Sequence, residues 1–449
     1  MKHSPIPSPK GRRLIGHLAE FKKNPLDCMS RWHRECGDIV NFQILTQHFY
    51  LLSHPDLVEQ AMVEQQDIFV KMYNPKKPKG LQLLMGQGLV TSTGPLWNRQ
   101  RRLLQPVFQR RNILTLLPEM EKAGTQLIAR WRAFEPDAEV DISAEMLHLA
   151  LEVLTRTMFS TSVLDRVDKI APALYICLRY AAATILNPLD PPLWVPTRRN
   201  RDFKRALATL DTVIYGMIDD RAAHPGQHHD VLHLLLTGRD PETGAEMSRR
   251  QLRDEMITLF VAGHETTANV LTWTLYFLTR HPEAMAKLKA ELTDVLNGGV
   301  PSADQIEQLP YTKAVLFEAM RLKPTAPVII RKVERDTCLQ AYRLKAGCLA
   351  VVSIYNIHHH PALWENPEAF EPERFLGPKV SKYSFFPFGI GSRFCIGNQF
   401  ATVELTLLLA MLAQQFDFAL CSSQEPEQDM AVTLRPKGGL FLKVRSVKR

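Results

Sequence analysis

Seven cysteines occur in the 449 residues, and one of them sits in a setting unlike the rest. Cys395 lies in the run Pro387-Phe388-Gly389-Ile390-Gly391-Ser392-Arg393-Phe394-Cys395-Ile396-Gly397, framed by three glycines, two aromatics and an arginine. The glycines let the backbone turn tightly and approach a flat partner closely. A helix-like segment follows at residues 398–414. Its N-terminus points back at the sulfur, which favours thiolate over thiol. A lone, turn-held thiolate of this kind suits axial ligation of haem iron, where it pushes electron density toward O–O cleavage. The competing reading is a buried free cysteine in a glycine-rich loop.

Residues 250–280 form the second chemical signal. As one helix they would run about 45 Å. Leu259-Phe260-Val261-Ala262 is apolar, and the pattern turns apolar again from Val270. Between them lies Gly263-His264-Glu265-Thr266-Thr267. Glycine, an acid and two β-branched alcohols inside a buried helix are locally unfavourable, and such violations are expected at functional sites. A threonine hydroxyl can bond back to a carbonyl and loosen the helix. The bland alternative is a kink held by that back-bond.

Other spacings position rather than react. Glu318 and Arg321 stand i,i+3, a pairing common on solvated helix faces. Trp97 and Arg101 stand i,i+4 and share a helix face. Arg331 follows the turn 324–327. Three consecutive histidines, His358-His359-His360, cannot all face one ion on a regular element, and no carboxylate or cysteine spacing near them supports zinc.

Phe388, Gly391, Arg393, Cys395 and Gly397 match F-x-x-G-x-R-x-C-x-G at every defined position, and in this the chain resembles the cytochrome P450 superfamily. The segment 262–267 resembles that family's A-G-x-E-T-T motif. Glu318-x-x-Arg321 with Pro372-Glu373-Arg374-Phe375 resembles its E-x-x-R and P-E-R-F pair. The likeness runs from about Gly37 to the C-terminus and is weakest over residues 163–245. It implies haem b (iron protoporphyrin IX) held by Cys395, with Phe388 and Gly397 in the haem loop. It implies haem propionates bound by Trp97, Arg101, Arg331 and Arg393, since carboxylates need fixed cations and donors. Thr266 and Glu265 would govern proton delivery. Glu318, Arg321 and Arg374 would form a buried charge cluster beneath the cysteine loop.

The elements that must hold these residues are mostly helical. Helical periodicity dominates residues 97–414, strongest at 118–134, 144–159, 202–222, 250–280 and 282–296. Residues 38–53 read as a β-hairpin, and short extended pieces return at 328–331, 349–354 and 439–444. The expected fold is mainly α: a cytochrome P450 fold with a helical body, a small β-rich side and a long central helix over the haem. Linkers and repeats are absent, so a single haem domain over residues 1–449, with no fused reductase, is expected.

The odd, unpaired cysteines fit a reducing compartment, and the cytoplasm is the expected location. The opening Met1-Lys2-His3-Ser4-Pro5-Ile6-Pro7 has no apolar core, so no membrane anchor is expected. The net charge of +8 could suit nucleic acid, a membrane surface or an acidic protein. No nucleic-acid motif accompanies it, which leaves an acidic redox protein, docked near Arg99, Arg102, Arg110 and Arg111.

By the resemblance, the chain is a monooxygenase that uses O2 and two electrons to oxidise an apolar lipid, terpenoid or similar compound. Electrons would come from a ferredoxin or flavodoxin and its NAD(P)H reductase. Substrate-contact candidates are Val90, Leu259, Ala262, Gly263, Val328 and Ile329, none charged. Some fatty-acid hydroxylases of the family anchor their substrate with an arginine in the N-terminal hairpin. Leu45-Thr46-Gln47-His48 has none. A haem-thiolate peroxygenase or isomerase, and a non-catalytic haem sensor, are the alternatives. Glu265 and Thr266 argue against both.

Overall fold

The computed structural model describes residues 4–12, 14–163, 166–186, 191–226, 230–240 and 242–447. The first three residues of the N-terminal segment discussed above lie outside them. The chain divides into two compact units. The first comprises Met1–Met72, Ala314–Cys395 and Thr433–Arg435; the second comprises Tyr73–Lys313, Ile396–Val432 and Pro436–Arg449.

A five-stranded sheet organises the first unit. Its order is Ile39–Ile44, Gln47–Leu52, Leu349–Ser353, Val328–Val333 and Phe69–Val70. The first two strands form the expected hairpin, with Ile39 opposite Leu52. Leu45 takes a left-handed φ of 52° at the turn. Gln47–Leu52 then pairs in parallel with Leu349–Ser353, setting Leu51 beside Val351. Phe69 pairs with Val333 and Val70 with Lys332, so Lys71 emerges one step further along, towards Arg331. Ile39, Tyr50, Leu52, Val333, Ala350 and Val352 pack beneath the sheet with Phe386 and Ile390 of the cysteine loop.

Helices build the second unit. The segments read from periodicity appear as Leu117–Arg132, Ile142–Phe159, Arg198–Ala223, Arg249–Arg280 and Pro282–Leu296. Polar residues start three of them. Asp141, Thr197 and Ser248 each accept a hydrogen bond from the backbone N–H three residues on, satisfying a donor the helix cannot pair itself. The central helix Arg249–Arg280 has 32 residues and spans about 48 Å. It remains helical, without a break, through the polar turn. Phe260 stacks on Phe159 of the neighbouring helix at 5.3 Å. Gly263 sets the closest approach there, because a Cβ on it would come within 2.7 Å of Leu154. A small sheet of Ala138–Asp141, Phe441–Ser446 and Phe416–Leu420 completes this unit.

Candidate active site

Cys395 ends the loop that the first unit presents. Its sulfur-bearing side chain is exposed, and its N–H donates to the Phe388 carbonyl at 2.9 Å. Phe388 is half-buried. Gly389 and Gly391 take φ values of 75° and 72°, a region that side chains disfavour. At Gly391 the restriction is also steric: a Cβ would stand 2.3 Å from the Met62 carbonyl oxygen. The loop's path is therefore set by two positive-φ positions that favour glycine, and at Gly391 no side chain fits. Gly397 caps the helix Asn398–Gln415, which starts three residues past Cys395.

Beneath the loop lies a fully buried ion cluster. Glu318 and Arg321 have completely enclosed side chains and pair through two 2.7 Å bonds. Arg321 spends its other donors on the carbonyls of His358, Pro367 and Ala369, at 2.8, 2.6 and 2.9 Å. The Trp364 ring lies 5.0 Å from its guanidinium carbon. Arg374 stands 3.4 Å from Glu318, and the Glu371 N–H donates to Glu318 at 2.9 Å. Glu318 and Arg321 thus hold the chain from His358 to Glu371, which leads into the cysteine loop. The pairing is interior, unlike the solvated i,i+3 pairs that the bare spacing suggests.

Three cations gather in the same unit. Arg331 is buried and Arg393 half-buried. Lys71, which the sequence did not single out, joins them. Burial, then the Arg331 and Arg393 guanidiniums, push its ammonium well below the usual lysine range. Like charges brought together out of water call for an anionic ligand. Two carboxylates of a porphyrin suit that donor set, so the residues present fit a haem. Trp97 and Arg101 are both half-buried on one face of the helix Gly94–Leu104 in the second unit.

The central helix is buried from Leu252 to Leu278 except at Ala262, Gly263 and Thr266. These three positions fall on one face. Thr266 donates its hydroxyl to the Ala262 carbonyl at 2.7 Å. Glu265 is buried, as are His264 and Thr267. Burial and nearby His148 lower the His264 imidazole to about 4, so it is neutral at ordinary pH. Thr267 donates to Glu404 at 3.1 Å, and burial raises the Glu404 carboxyl to about 8. Glu404 is a second residue that the sequence reading passed over. Of the substrate-contact candidates, Leu259 is buried, while Val90, Val328 and Ile329 are half-buried.

The histidine run diverges as its spacing demands. His358 accepts from the Phe386 N–H at 3.2 Å, and His359 stacks on Tyr355 at 4.1 Å. His360 does approach two other ligand types, His33 and Asp38. Its Nε2 bonds Asp38 at 3.1 Å while its Nδ1 accepts from the Ala362 N–H at 3.1 Å. A neutral imidazole has one lone pair, and Ala362 takes it. The cluster is therefore a hydrogen-bond network, with no ring lone pair left on His360 for a metal. The basic patch also carries its own counter-ions. Arg99 pairs with Asp240, Arg102 with Glu242 and Arg110 with Glu307.

Among the described residues, no helix is long and apolar enough to cross a membrane. The family model described as Cytochrome P450 matches residues 6–444. The chain is 36% identical over 439 residues to cyclooctatin synthase of Streptomyces melanosporofaciens, covering 96% of this chain and 94% of that protein. It is 33% identical over 410 residues to cyclooctat-9-en-7-ol 5-monooxygenase of the same organism, covering 90% and 87%. It is 31% identical over 433 residues to putative cytochrome P450 132 of Mycobacterium tuberculosis (strain ATCC 25618 / H37Rv), covering 90% of each. With the cysteine loop, the buried ion cluster and the central helix in place, these likenesses identify the chain as a member of the cytochrome P450 family and an oxygen-inserting monooxygenase of it.

Proposed function

We propose that this monooxygenase hydroxylates a cyclic terpenoid, holding haem b through Cys395 and working in the cytoplasm with a ferredoxin or flavodoxin and its NAD(P)H reductase. The observation that carries the reading is the one open face of the central helix, at Ala262, Gly263 and Thr266. It offers small residues and a single hydroxyl, a surface that receives an apolar molecule without an ionic anchor. The relatives' names point the same way: one is a monooxygenase of cyclooctat-9-en-7-ol. The seven free thiols suit a reducing compartment.

The haem, when bound, supplies the oxidising chemistry that cleaves dioxygen and delivers one oxygen atom to carbon. The chain's part is to hold and to protonate. Cys395 offers the thiolate, on a loop whose glycines fix its path. Arg331, Arg393 and Lys71 offer cations to propionates, and Trp97 and Arg101 offer further donors. Phe388 and Gly397 shape the two ends of the loop. Thr266 holds a proton on a hydroxyl at the open face and can swing it away from the Ala262 carbonyl. Glu265, buried one residue earlier, is the acidic group of the same turn. Such assistance is worth about 10²–10⁴-fold in rate.

The test is a ligand panel. Purified haem-loaded protein is titrated with cyclic terpenoid alcohols and hydrocarbons and with fatty acids, reading the substrate-induced shift of the haem spectrum. Binding compounds are then turned over with NAD(P)H, ferredoxin and reductase, or with peroxide alone. Cyclic terpenoids should shift the spectrum and give hydroxylated product with the reductant. Shifts from fatty acids only would overturn the substrate class. Product from peroxide, but never from reductant and partner, would overturn the electron route.

A further inference from the structure

We infer that Glu404 is a positioning residue for oxygen activation, holding the Thr267 hydroxyl off the central helix so that only Thr266 bonds back within the Thr266-Thr267 pair. The inference rests on the reading of Thr266 as the proton-delivering group.

Five of the six threonines on the central helix donate to a carbonyl of the helix itself, Thr279 to Tyr276 three residues earlier at 2.6 Å, and Thr267 departs from them. Thr258, Thr266, Thr272 and Thr274 each donate to the carbonyl four residues earlier at 2.7 Å. Thr267 donates to Glu404 instead, at 3.1 Å. Its own back-bond would have gone to the Gly263 carbonyl. Back-bonding loosens and bends a helix where it occurs. Two adjacent back-bonds would load the Ala262 and Gly263 carbonyls together. One back-bond confines the loosening to the turn that Thr266 closes.

Packing does not account for Glu404. It is 1% exposed, on a helix whose buried positions are otherwise nearly all apolar, including Val403, Leu405 and Leu407 to Leu409. A leucine or methionine would fill the place without the cost of burying a carboxyl. Burial does keep the group neutral to about pH 8, which lowers that cost without removing it. Gly263 explains why its carbonyl should stay unloaded. That residue is pressed against Leu154, where even a Cβ would stand only 2.7 Å from the side chain, so a shift there would strain the contact.

The test uses haem-loaded protein and four variants: Glu404→Leu, Glu404→Gln, Glu404→Leu with Thr267→Val, and Thr266→Ala. Two quantities are read: amide hydrogen exchange across residues 262–271, and product formed per reduced nicotinamide. In Glu404→Leu the freed Thr267 hydroxyl turns to Gly263. Exchange should rise and coupling fall by about fivefold, the weight of one net hydrogen bond. Adding Thr267→Val removes that hydroxyl, so nothing turns to Gly263, and should return both most of the way to wild type. A generally weakened core predicts the opposite, further loss. Glu404→Gln keeps an acceptor for Thr267 and should recover both readings.

Wild-type-like exchange and coupling in Glu404→Leu would overturn the inference, and so would a failure of Thr267→Val to rescue. Should Glu404→Leu load no haem, Glu404→Met, closer in shape, replaces it in the same comparison. Thr266→Ala separates the two claims. If it couples normally, the reading of Thr266 fails, and exchange alone judges Glu404. If it uncouples while Glu404→Leu does not, Glu404 alone is refuted.

Discussion

Removing Glu318 should unseat the cysteine loop. Arg321 makes five bonds, and two go to Glu318. Glu318→Ala leaves its guanidinium charged and fully enclosed, with three carbonyls but no counter-charge. Stripping one partner from a buried pair costs about 3–5 kcal/mol. For a cooperative unit of 150–250 residues, about 2–4 °C of melting temperature accompanies each kcal/mol, so a fall of roughly 6–20 °C is expected. Arg321→Met should be at least as damaging. It leaves Glu318 with only Arg374 and the Glu371 N–H, and it also orphans the carbonyls of His358, Pro367 and Ala369. Arg321→Lys should rescue little, since an ammonium cannot span five acceptors spread around a planar fork. The assay is thermal unfolding followed by circular dichroism, beside haem content per chain. Variants that melt within about 2 °C of wild type and load haem fully would show that the cluster carries under 1 kcal/mol. The account of how the loop is held would then be wrong.

Three further outcomes are expected. Cys395→Ser should lose the thiolate-type spectrum of the reduced carbon monoxide adduct, because an alcohol oxygen is a poor donor to iron; an unchanged spectrum would mean another residue ligates the metal. Thr266→Ala should bind substrate and accept electrons normally but release them as peroxide, lowering product per reduced nicotinamide, while a peroxide-driven reaction suffers much less; tight coupling would refute the proton-delivery role. Glu404→Gln should alter the pH dependence of stability. Between the ordinary value of 4.5 and about 8 the folded chain keeps a proton that the unfolded chain releases, so this group's contribution falls as pH rises. The glutamine variant lacks that slope and should gain up to about 3 kcal/mol at pH 7 in urea unfolding, most of it absent at pH 4.5; parallel curves for the two proteins would contradict a buried neutral carboxyl.

What could be read from the sequence was what the chain settles locally. The turn around Cys395 is legible because Gly389 and Gly391 announce a left-handed backbone that side chains disfavour. The central helix is legible because its period is 3.6 and its polar turn breaks the apolar pattern. The hairpin at Ile39–Leu52 announces itself by two short runs rich in β-branched and aromatic residues, separated by a polar turn. Lys71 was not legible, because its neighbours come from Val70 pairing with Lys332 across the sheet, over 250 residues away. Glu404 was hidden for the same reason: its partner Thr267 lies 137 residues earlier. The arginines near Trp97 looked like a bare basic face because their counter-ions, Asp240, Glu242 and Glu307, are remote in sequence. The strand Phe416–Leu420 went unread, because its partner Phe441–Ser446 lies more than twenty residues on.

The parallel pairing of Gln47–Leu52 with Leu349–Ser353 also sets a schedule for biosynthesis. The hairpin leaves the ribosome early, with the apolar run Phe49-Tyr50-Leu51-Leu52 on an edge that has no neighbour yet. Roughly 300 residues must follow before its partner strand exists. At 5–20 residues per second that is a wait of roughly 15–60 s. The second unit's long helices are made in the interval and can form from local contacts. The exposed edge is meanwhile a template for pairing with other nascent chains. Cys395 emerges later still, so haem can be taken up only after nearly all the chain has been translated. Slower translation lengthens the exposure, whereas chaperones that shield the first fifty residues should raise the yield of haem-loaded protein.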